Sequence, residues 1–440
     1  MSKGMEGGVS RRSFLKGAGV AAAAVAGSAA LAGCASGSTG AASGDWLPKS
    51  WDYECDLLVI GYGGAGMWAS LIGADECGQE VIVLEKAPVE GGGNSRINNG
   101  EWTIVEESDK ERFKKYIKAF THGKTPEPMI DAWVNECVRN TEYADKYGMT
   151  YEVSEVALAG AIPEYYFLDD NAYEGSCKLS SVDGFGMLSF RELDAQREKL
   201  GVQVLFDCHD ERLIQNPETK EIVGAYTMIG SEEKTVKARK GVIMTTGGFE
   251  FNEDLKNAYL KCYPFKFEGW QFNTGDGIKA ALWAGAVKDI TSATMIFDRG
   301  LVAPGTTAGY TEESVKAGNP QWPGNGQFNP GTQPFLKVNL RGERFALESA
   351  DYDYLPHAAA QQPGGVYISV WDGNFGDDVQ RFHTLGCSAG TRMGVLGVKK
   401  EDGTYDLDKY FEKELADGRL QKADTLDELA DKLGFDADAK

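Results

Sequence analysis

"CDLLVIGYGGAGMWASLIGADECGQEVIVLE", residues 55–85, decides the fold. Residues 57–60 form a short, continuous apolar run, the pattern of a buried parallel strand. The run enters Gly61-Tyr62-Gly63-Gly64-Ala65-Gly66, a G-x-G-x-x-G. A helical stretch rich in alanine and glycine follows to about Cys77, and a second apolar strand over 81–84 ends in Glu85. Gly61 permits the tight turn, Gly63 lets backbone approach a pyrophosphate, and Gly66 lets the helix pack on the strand. The helix N-terminus then faces the phosphates. Glu85, 24 residues after Gly61, stands at the strand tip, placed to accept hydrogen bonds from a ribose. A lone glycine motif would be weak, but strand, helix, strand and acid in register specify a dinucleotide-binding βαβ unit.

The N-terminus decides which dinucleotide. Arg11-Arg12-Ser13-Phe14-Leu15-Lys16 resembles the twin-arginine signal of proteins exported already folded. The following run is mostly Ala, Gly and Val, too weakly hydrophobic for a membrane span. A nicotinamide dinucleotide exchanges at each turnover and is scarce outside the cytoplasm. A flavin dinucleotide is bound tightly and can be loaded before export, so the expected cofactor is FAD. Leu31-Ala32-Gly33-Cys34 resembles a bacterial lipobox, which implies lipidation of Cys34 as the first mature residue. The alternative is cleavage by a general signal peptidase, releasing a soluble protein. Residues 35–45 are Ser/Gly/Ala-rich and read as a flexible tether.

The chain has 440 residues, enough for a large core and two domains, and a net charge of −21. Residues 1–33 carry Lys3, Arg11, Arg12 and Lys16 against Glu6, so the remainder holds −24. That balance argues against nucleic acid or an anionic lipid surface as partner. Seven cysteines besides Cys34 are dispersed, with no C-x-x-C and no C-x-x-C-H, which suits buried thiols better than a disulfide framework. His122, His209, His357 and His383 give no metal-ligand spacing, so no metal is expected.

Four further motifs, in order, resemble the fumarate reductase and 3-oxosteroid dehydrogenase flavoprotein family. Gly92-Gly93-Asn94-Ser95, after Glu85-Lys86, resembles its G-G-N-[ST] segment, which lies along the flavin. "KGVIMTTGGFEFN" (240–252) resembles its strand and T-G-G-F, with Gly247 and Gly248 passing close to the adenosine end. "NTGDGIKAALWAGA" (273–286) resembles its T-G-D-G helix start, with Asp276 near the cofactor. "VNLRGERFALESADY" (338–352) resembles the capping-domain V-N-x-x-G-x-R-F-x-N-E. Residues 202–239 show short alternating strands similar to the family's β-meander. The resemblance implies an α/β fold: a Rossmann-like FAD-binding domain with an inserted β-meander, plus an α+β capping domain. The expected boundaries are signal 1–33, tether 34–52, FAD-binding domain 53–290, cap 291–415, and the start of a return to the FAD domain at 416–440. The Gly/Pro/Asn-rich residues 320–334 read as loops within the cap.

The family moves a hydride between flavin N5 and a carbon of an activated C=C bond, while a protein group handles the proton. Its fumarate reductase branch has an arginine four residues after the N-E glutamate. Counted from Glu348, that position is Tyr352, and the steroid dehydrogenase branch has tyrosine there. Tyr352 is either the proton donor or one member of an Asp-Tyr-Asp-Tyr surface patch. Arg344 belongs to the R-F motif, as a catalytic-site residue or a structural ion pair. Arg299, Tyr354 and His357 are candidates to bind a substrate ketone or carboxylate. Leu347 replaces the usual Asn, and "DITSATMIFDRG" lacks the carboxylate-gripping histidine; both speak against a dicarboxylate.

"DTLDELADKLGFDADAK" reads as a capped helix, with Thr425 and Glu428 as a capping box and Gly434 as C-cap. The family continues from such a helix into a segment that closes the flavin pocket. Ending at Lys440 implies a truncated product, part of a longer chain or half of a split protein, with weak FAD binding and association through open edges. The expected function is an extracytoplasmic reductase of enones or acrylates, fed by an external donor protein or a membrane redox chain. It would be lipid-anchored to the cell membrane. A dehydrogenase running in reverse and a non-catalytic flavoprotein remnant are the alternatives.

Overall fold

A computed structural model describes residues 46–97, 102–121, 123–157, 176–181, 187–260, 269–289, 300–309, 312–317, 335–348, 354–381, 400, 402–403 and 406–435. The quoted stretch folds as read: β1 (Tyr53–Ile60), α1 (Gly64–Asp75) and β2 (Val81–Leu84). After β2 come α2 (Gly93–Ile97) and β3 (Trp102–Ile104). Three helices follow, α3 (Lys110–Phe120), α4 (Glu127–Cys137) and α5 (Asn140–Lys146). Next in the chain are β4 (Glu152–Ala157), β5 (Ser176–Ser181) and α6 (Met187–Lys199). Strands β6 (Gln203–Leu205), β7 (Cys208–Gln215), β8 (Ile222–Ile229) and β9 (Glu232–Met244) follow in succession.

Six strands form one mixed sheet in the order β6-β2-β1-β9-β8-β7. The first four run parallel; β7, β8 and β9 pair antiparallel. The expected meander over 202–239 therefore needs correcting at both ends. β6 leaves it to extend the parallel sheet beside β2, with Val83 opposite Val204. β9 is one thirteen-residue strand whose first half belongs to the meander and whose second half pairs with β1.

Both faces of β1 and β2 are covered, which is why their sequences read as unbroken apolar runs. Val59, Val81 and Val83 face one cluster with Met67 and Leu71 of α1 and Phe190 and Leu193 of α6. Leu58, Ile60, Ile82 and Leu84 face the other, with Cys55, Cys208, Ala225 and Val236. Cys55, Cys137 and Cys208 are buried thiols, whereas Cys77 is exposed.

Strands β3, β5 and β4 make a separate antiparallel sheet. Beyond β9 lie α7 (Glu253–Tyr259), α8 (Asp276–Trp283) and α9 (Glu312–Lys316). A hairpin-like pair, β10 (Leu336–Val338) and β11 (Ile368–Val370), brackets α10 (Tyr354–Ala360). Then come α11 (Phe375–Arg381), α12 (Leu407–Tyr410), α13 (Glu412–Ala416) and α14 (Leu426–Leu433). Phe335, Trp371, Phe375 and Phe411 stack into an aromatic core beside this pair of strands. α14 has the expected ends: Thr425 Oγ accepts from Glu428 N at 3.2 Å, and Gly434 takes φ 76°. The reciprocal carboxylate bond goes one residue upstream, from Asp424 N to Glu428. Residues 320–334 lie outside the described residues.

Candidate functional site

The site begins where β1, β2 and β9 end. Gly61 adopts φ 99°, a conformation only glycine holds without strain. A Cβ there would also overlap the Thr245 carbonyl at the exit of β9. A Cβ at Gly66 would overlap Gly61 O and crowd Thr245 Oγ. The turn is thus wedged against two strands. Gly63 caps α1 without a side-chain bond, and a Cβ on it would meet nothing nearer than 3.8 Å. Ala65, one turn position on, is exposed. Gly64 N donates to Ser95 Oγ at 3.2 Å. Ser95 thus takes one N–H of the first turn of α1, and a helix N-terminus that begins in a glycine turn is of the kind that binds an anion.

At the tip of β2, Glu85 is 6% exposed and accepts hydrogen bonds from Tyr62 N at 2.8 Å and Ala87 N at 2.7 Å. Burial raises its pKa, against the pull of those two N–H donors. Next to it, Lys86 Nζ lies 2.5 Å from Asp276 and 2.5 Å from Thr274 Oγ. Asp276 opens α8 and also pairs with Lys279 at 3.1 Å. Burial opposes its ionisation, but Lys86, Thr274 and Lys279 outweigh it and bring the pKa down to about 2. The site residues assigned from sequence on either side of the turn, Glu85, Lys86 and Asp276, are thus brought together.

The third wall is Gly92–Ser95. Gly92 (φ 121°) donates from its N–H to Tyr62 O at 2.7 Å and bridges Gly63, and Gly93 takes φ 52°. Asn94 accepts from Trp270 N at 2.7 Å and reaches Glu250 at 3.4 Å. Gly247 (φ 67°) leaves room for Asn273, and Gly248 for the Glu250 carboxylate, 2.7 Å from where a Cβ would be.

Arg344 grips Glu348 with two parallel bonds, Nε–Oε1 2.8 Å and Nη2–Oε2 2.6 Å. The arginine is 65% exposed on its side chain and the glutamate 9%, so the pair reads as a surface clamp on a buried carboxylate. The contact holds the Glu348 pKa low. Tyr354 is the first residue of α10 and His357 is half-buried on the same helix. Arg299 and Tyr352, and Cys34 with the signal, fall outside the described residues.

Two groups near the site are not apparent in the motifs. Glu211 on β7 is 7% exposed, and burial pushes its pKa up to about 7, with Asp276 and Asp210 adding and Lys86 opposing. A register shift between His209 and Arg212, with Asp210 at φ 55°, puts it there. Tyr62, the variable residue inside the glycine motif, is buried. Its hydroxyl donates to Asp194 at 2.6 Å and accepts from Arg197 at 3.1 Å. No regular alternation signals the first, and an acid and a base three apart on α6 would have been the only hint of the second.

Comparison with known proteins agrees with this geometry. The profile of the family described as FAD binding domain matches residues 56–369. That of the twin-arginine translocation pathway signal sequence matches residues 8–28. The chain is 27% identical over 402 residues to the digoxin reductase of Eggerthella lenta, covering 82% of this chain and 68% of that protein. It is 26% identical over 471 residues to a 3-oxosteroid 1-dehydrogenase of Mycolicibacterium smegmatis, covering 88% and 76%. Its fold matches the crystal structure of a 3-ketosteroid-Δ4-(5α)-dehydrogenase from Rhodococcus jostii. The TM-score is 0.58 at 19% identity, covering 89% and 76%. Among the described residues no helix is long and apolar enough to cross a membrane. The residues present fit the cofactor: the glycine turn at the α1 N-terminus suits a pyrophosphate and the carboxylate of Glu85 a ribose.

Proposed function

The chain belongs to the FAD-binding domain family and is an FAD-dependent oxidoreductase, and from that premise we propose an exported reductase of activated C=C bonds. The observation that carries this reading is the convergence of Gly61–Gly66, Glu85 and Gly92–Ser95 at the carboxyl ends of β1, β2 and β9. In open α/β sheets that is where ligands sit. Bound FAD supplies two-electron chemistry at its flavin ring.

This chain's residues do the rest. The N-terminus of α1 takes the pyrophosphate, Glu85 the adenosine ribose, and Gly247 and Gly248 leave space beside the adenosine half. Asp276, fixed by Lys86, keeps the loop before α8 closed against the site. Arg299, Tyr354 and His357 bind the electron-withdrawing carbonyl or carboxylate of an enone or acrylate. Tyr352 gives its phenolic proton to the substrate carbon beside that group as the other alkene carbon is reduced. Arg344 holds Glu348, four residues before Tyr352 in the chain, and so acts as a positioning residue. The FAD-binding part spans 53–290, the cap 291–415, and 416–440 begins the return. Lipidation of Cys34 and a tether over 34–52 would keep the enzyme at the outer face of the cell membrane, supplied by a donor protein or membrane redox chain.

The similarity to 3-oxosteroid 1-dehydrogenases favours a second reading, in which the same residues run the reaction toward the alkene, Tyr352 then accepting the proton. Tyr352→Phe tests the shared core of both. The expected result is retained flavin with turnover of an accepted enone or acrylate lowered at least 100-fold, the scale of a lost proton donor. Turnover within twofold of wild type would remove Tyr352 from the chemistry.

A further inference from the structure

Helices α3 and α4 lie antiparallel: Lys114 pairs with Asp131 at 2.8 Å, and Lys118, one turn on, with Glu127, one turn back. Ile130, Val134 and Cys137, at helical spacing on α4, are buried with Phe113 and Ile117 of α3 packed against them. α4 carries a second apolar pair that this core does not bury. Met129 is 62% exposed and Trp133, one turn later, 45%. The Trp133 ring lies 5.7 Å from that of Phe113, so the patch extends from α4 onto α3. Neighbouring Trp and Met side chains left in water are of the kind that anchor protein interfaces.

The charge around the patch selects its occupant. α3 holds Lys110, Arg112, Lys114, Lys115 and Lys118 against Glu111, a sum of +4. α4 holds Glu127, Asp131 and Glu136, a sum of −3. A partner of one sign suits one helix and repels the other. A second copy, turned about a two-fold axis through the Phe113–Trp133 contact, suits both, because α3 of each copy then meets α4 of the other. The two helices together are nearly neutral, whereas the chain beyond residue 33 carries −24, so two copies approach here with little of their general repulsion. We propose that the chain self-associates through this face, as a two-fold dimer centred on Met129 and Trp133. Arg112, beside Phe113, faces Glu136 of the other copy, three residues past Trp133. Within one copy Arg112 pairs with Asp109 at 2.9 Å and Glu136 with Arg139 at 3.2 Å, so the rim charges set orientation and the rings supply most of the affinity. Each helix has 11 residues and is about 16 Å long, which limits the contact to the small, weak class of interface.

The test is sedimentation equilibrium of the full chain over about 1–100 μM, the range of a weak dimer. Wild type, Trp133→Ser, Arg112→Glu and Glu136→Arg are compared, with circular dichroism as the check on folding. Wild type is expected to pass from monomer to dimer across that range, and Trp133→Ser to remain a monomer with the wild-type spectrum. Arg112→Glu and Glu136→Arg should each associate about tenfold more weakly. An equimolar mixture of these two should regain wild-type association, because each reversed charge then faces its opposite. Wild type that stays monomeric throughout overturns the inference and leaves the face to a different protein. Dimeric Trp133→Ser, or a mixture no better than its components, overturns it as well.

Discussion

Glu211 is an acid in the wrong place for an acid. It is buried on β7, and that burial, with Asp276 and Asp210 adding and Lys86 opposing, raises its pKa from 4.5 to about 7. The folded state therefore holds a proton that the unfolded chain releases. The sign follows: its effect on stability is absent below pH 4.5, and stability falls as pH rises from 4.5 to about 7. Glu211→Gln removes that loss. The variant is expected to match wild type at pH 4.5 and to exceed it at pH 8, by on the order of 3 kcal/mol at 1.36 kcal/mol per pKa unit. Urea midpoints at the two pH values check this, and equal pH dependence would show that Glu211 is ionised without cost. Glu85 was legible in the sequence because the βαβ pattern fixes the tip of β2. Glu211 was not, because the register shift at Asp210 breaks the alternation that would have placed its side chain.

Among elements, α1, β1 and β2 were readable because each has a one-sided or fully buried pattern. β6 and the long β9 were not, since a three-residue strand carries almost no periodicity and nothing in "KARKGVIM" marks the change of partner from β8 to β1. The packing of α6 on the glycine turn was equally hidden, because it depends on a tyrosine at a position where the motif accepts any residue. Tyr62 stacks edge-on against Phe190 at 5.5 Å and bonds Asp194. Tyr62→Phe keeps the ring and removes the bond, leaving Asp194 paired with Arg197. The expected loss is about 1 kcal/mol in chemical denaturation, with little change in FAD affinity, since the hydroxyl points to α6. A large loss of FAD would mean that α6 shapes the site more directly than the turn itself does.

For the molecule as a whole, the ordered motifs foresaw the strand ends and glycine turns that meet around Gly61–Gly66, because those are local features. The capping side was less legible. The elements beyond β9 are joined by long-range packing, such as the Phe335–Phe375–Phe411 stack, which leaves no short-range signature. The chain is an FAD-dependent oxidoreductase, and the proposed acceptor of its electrons is an activated double bond. That acceptor is tested most directly under anaerobic conditions, by reducing the purified protein with dithionite and titrating it with unsaturated acceptors, including cinnamates, fumarate and steroid enones. The expected result is a flavin absorbance band that bleaches and returns with one equivalent of an accepted enone or acrylate. A protein that takes up no flavin from added FAD, or whose reduced flavin no such acceptor reoxidises, would contradict this.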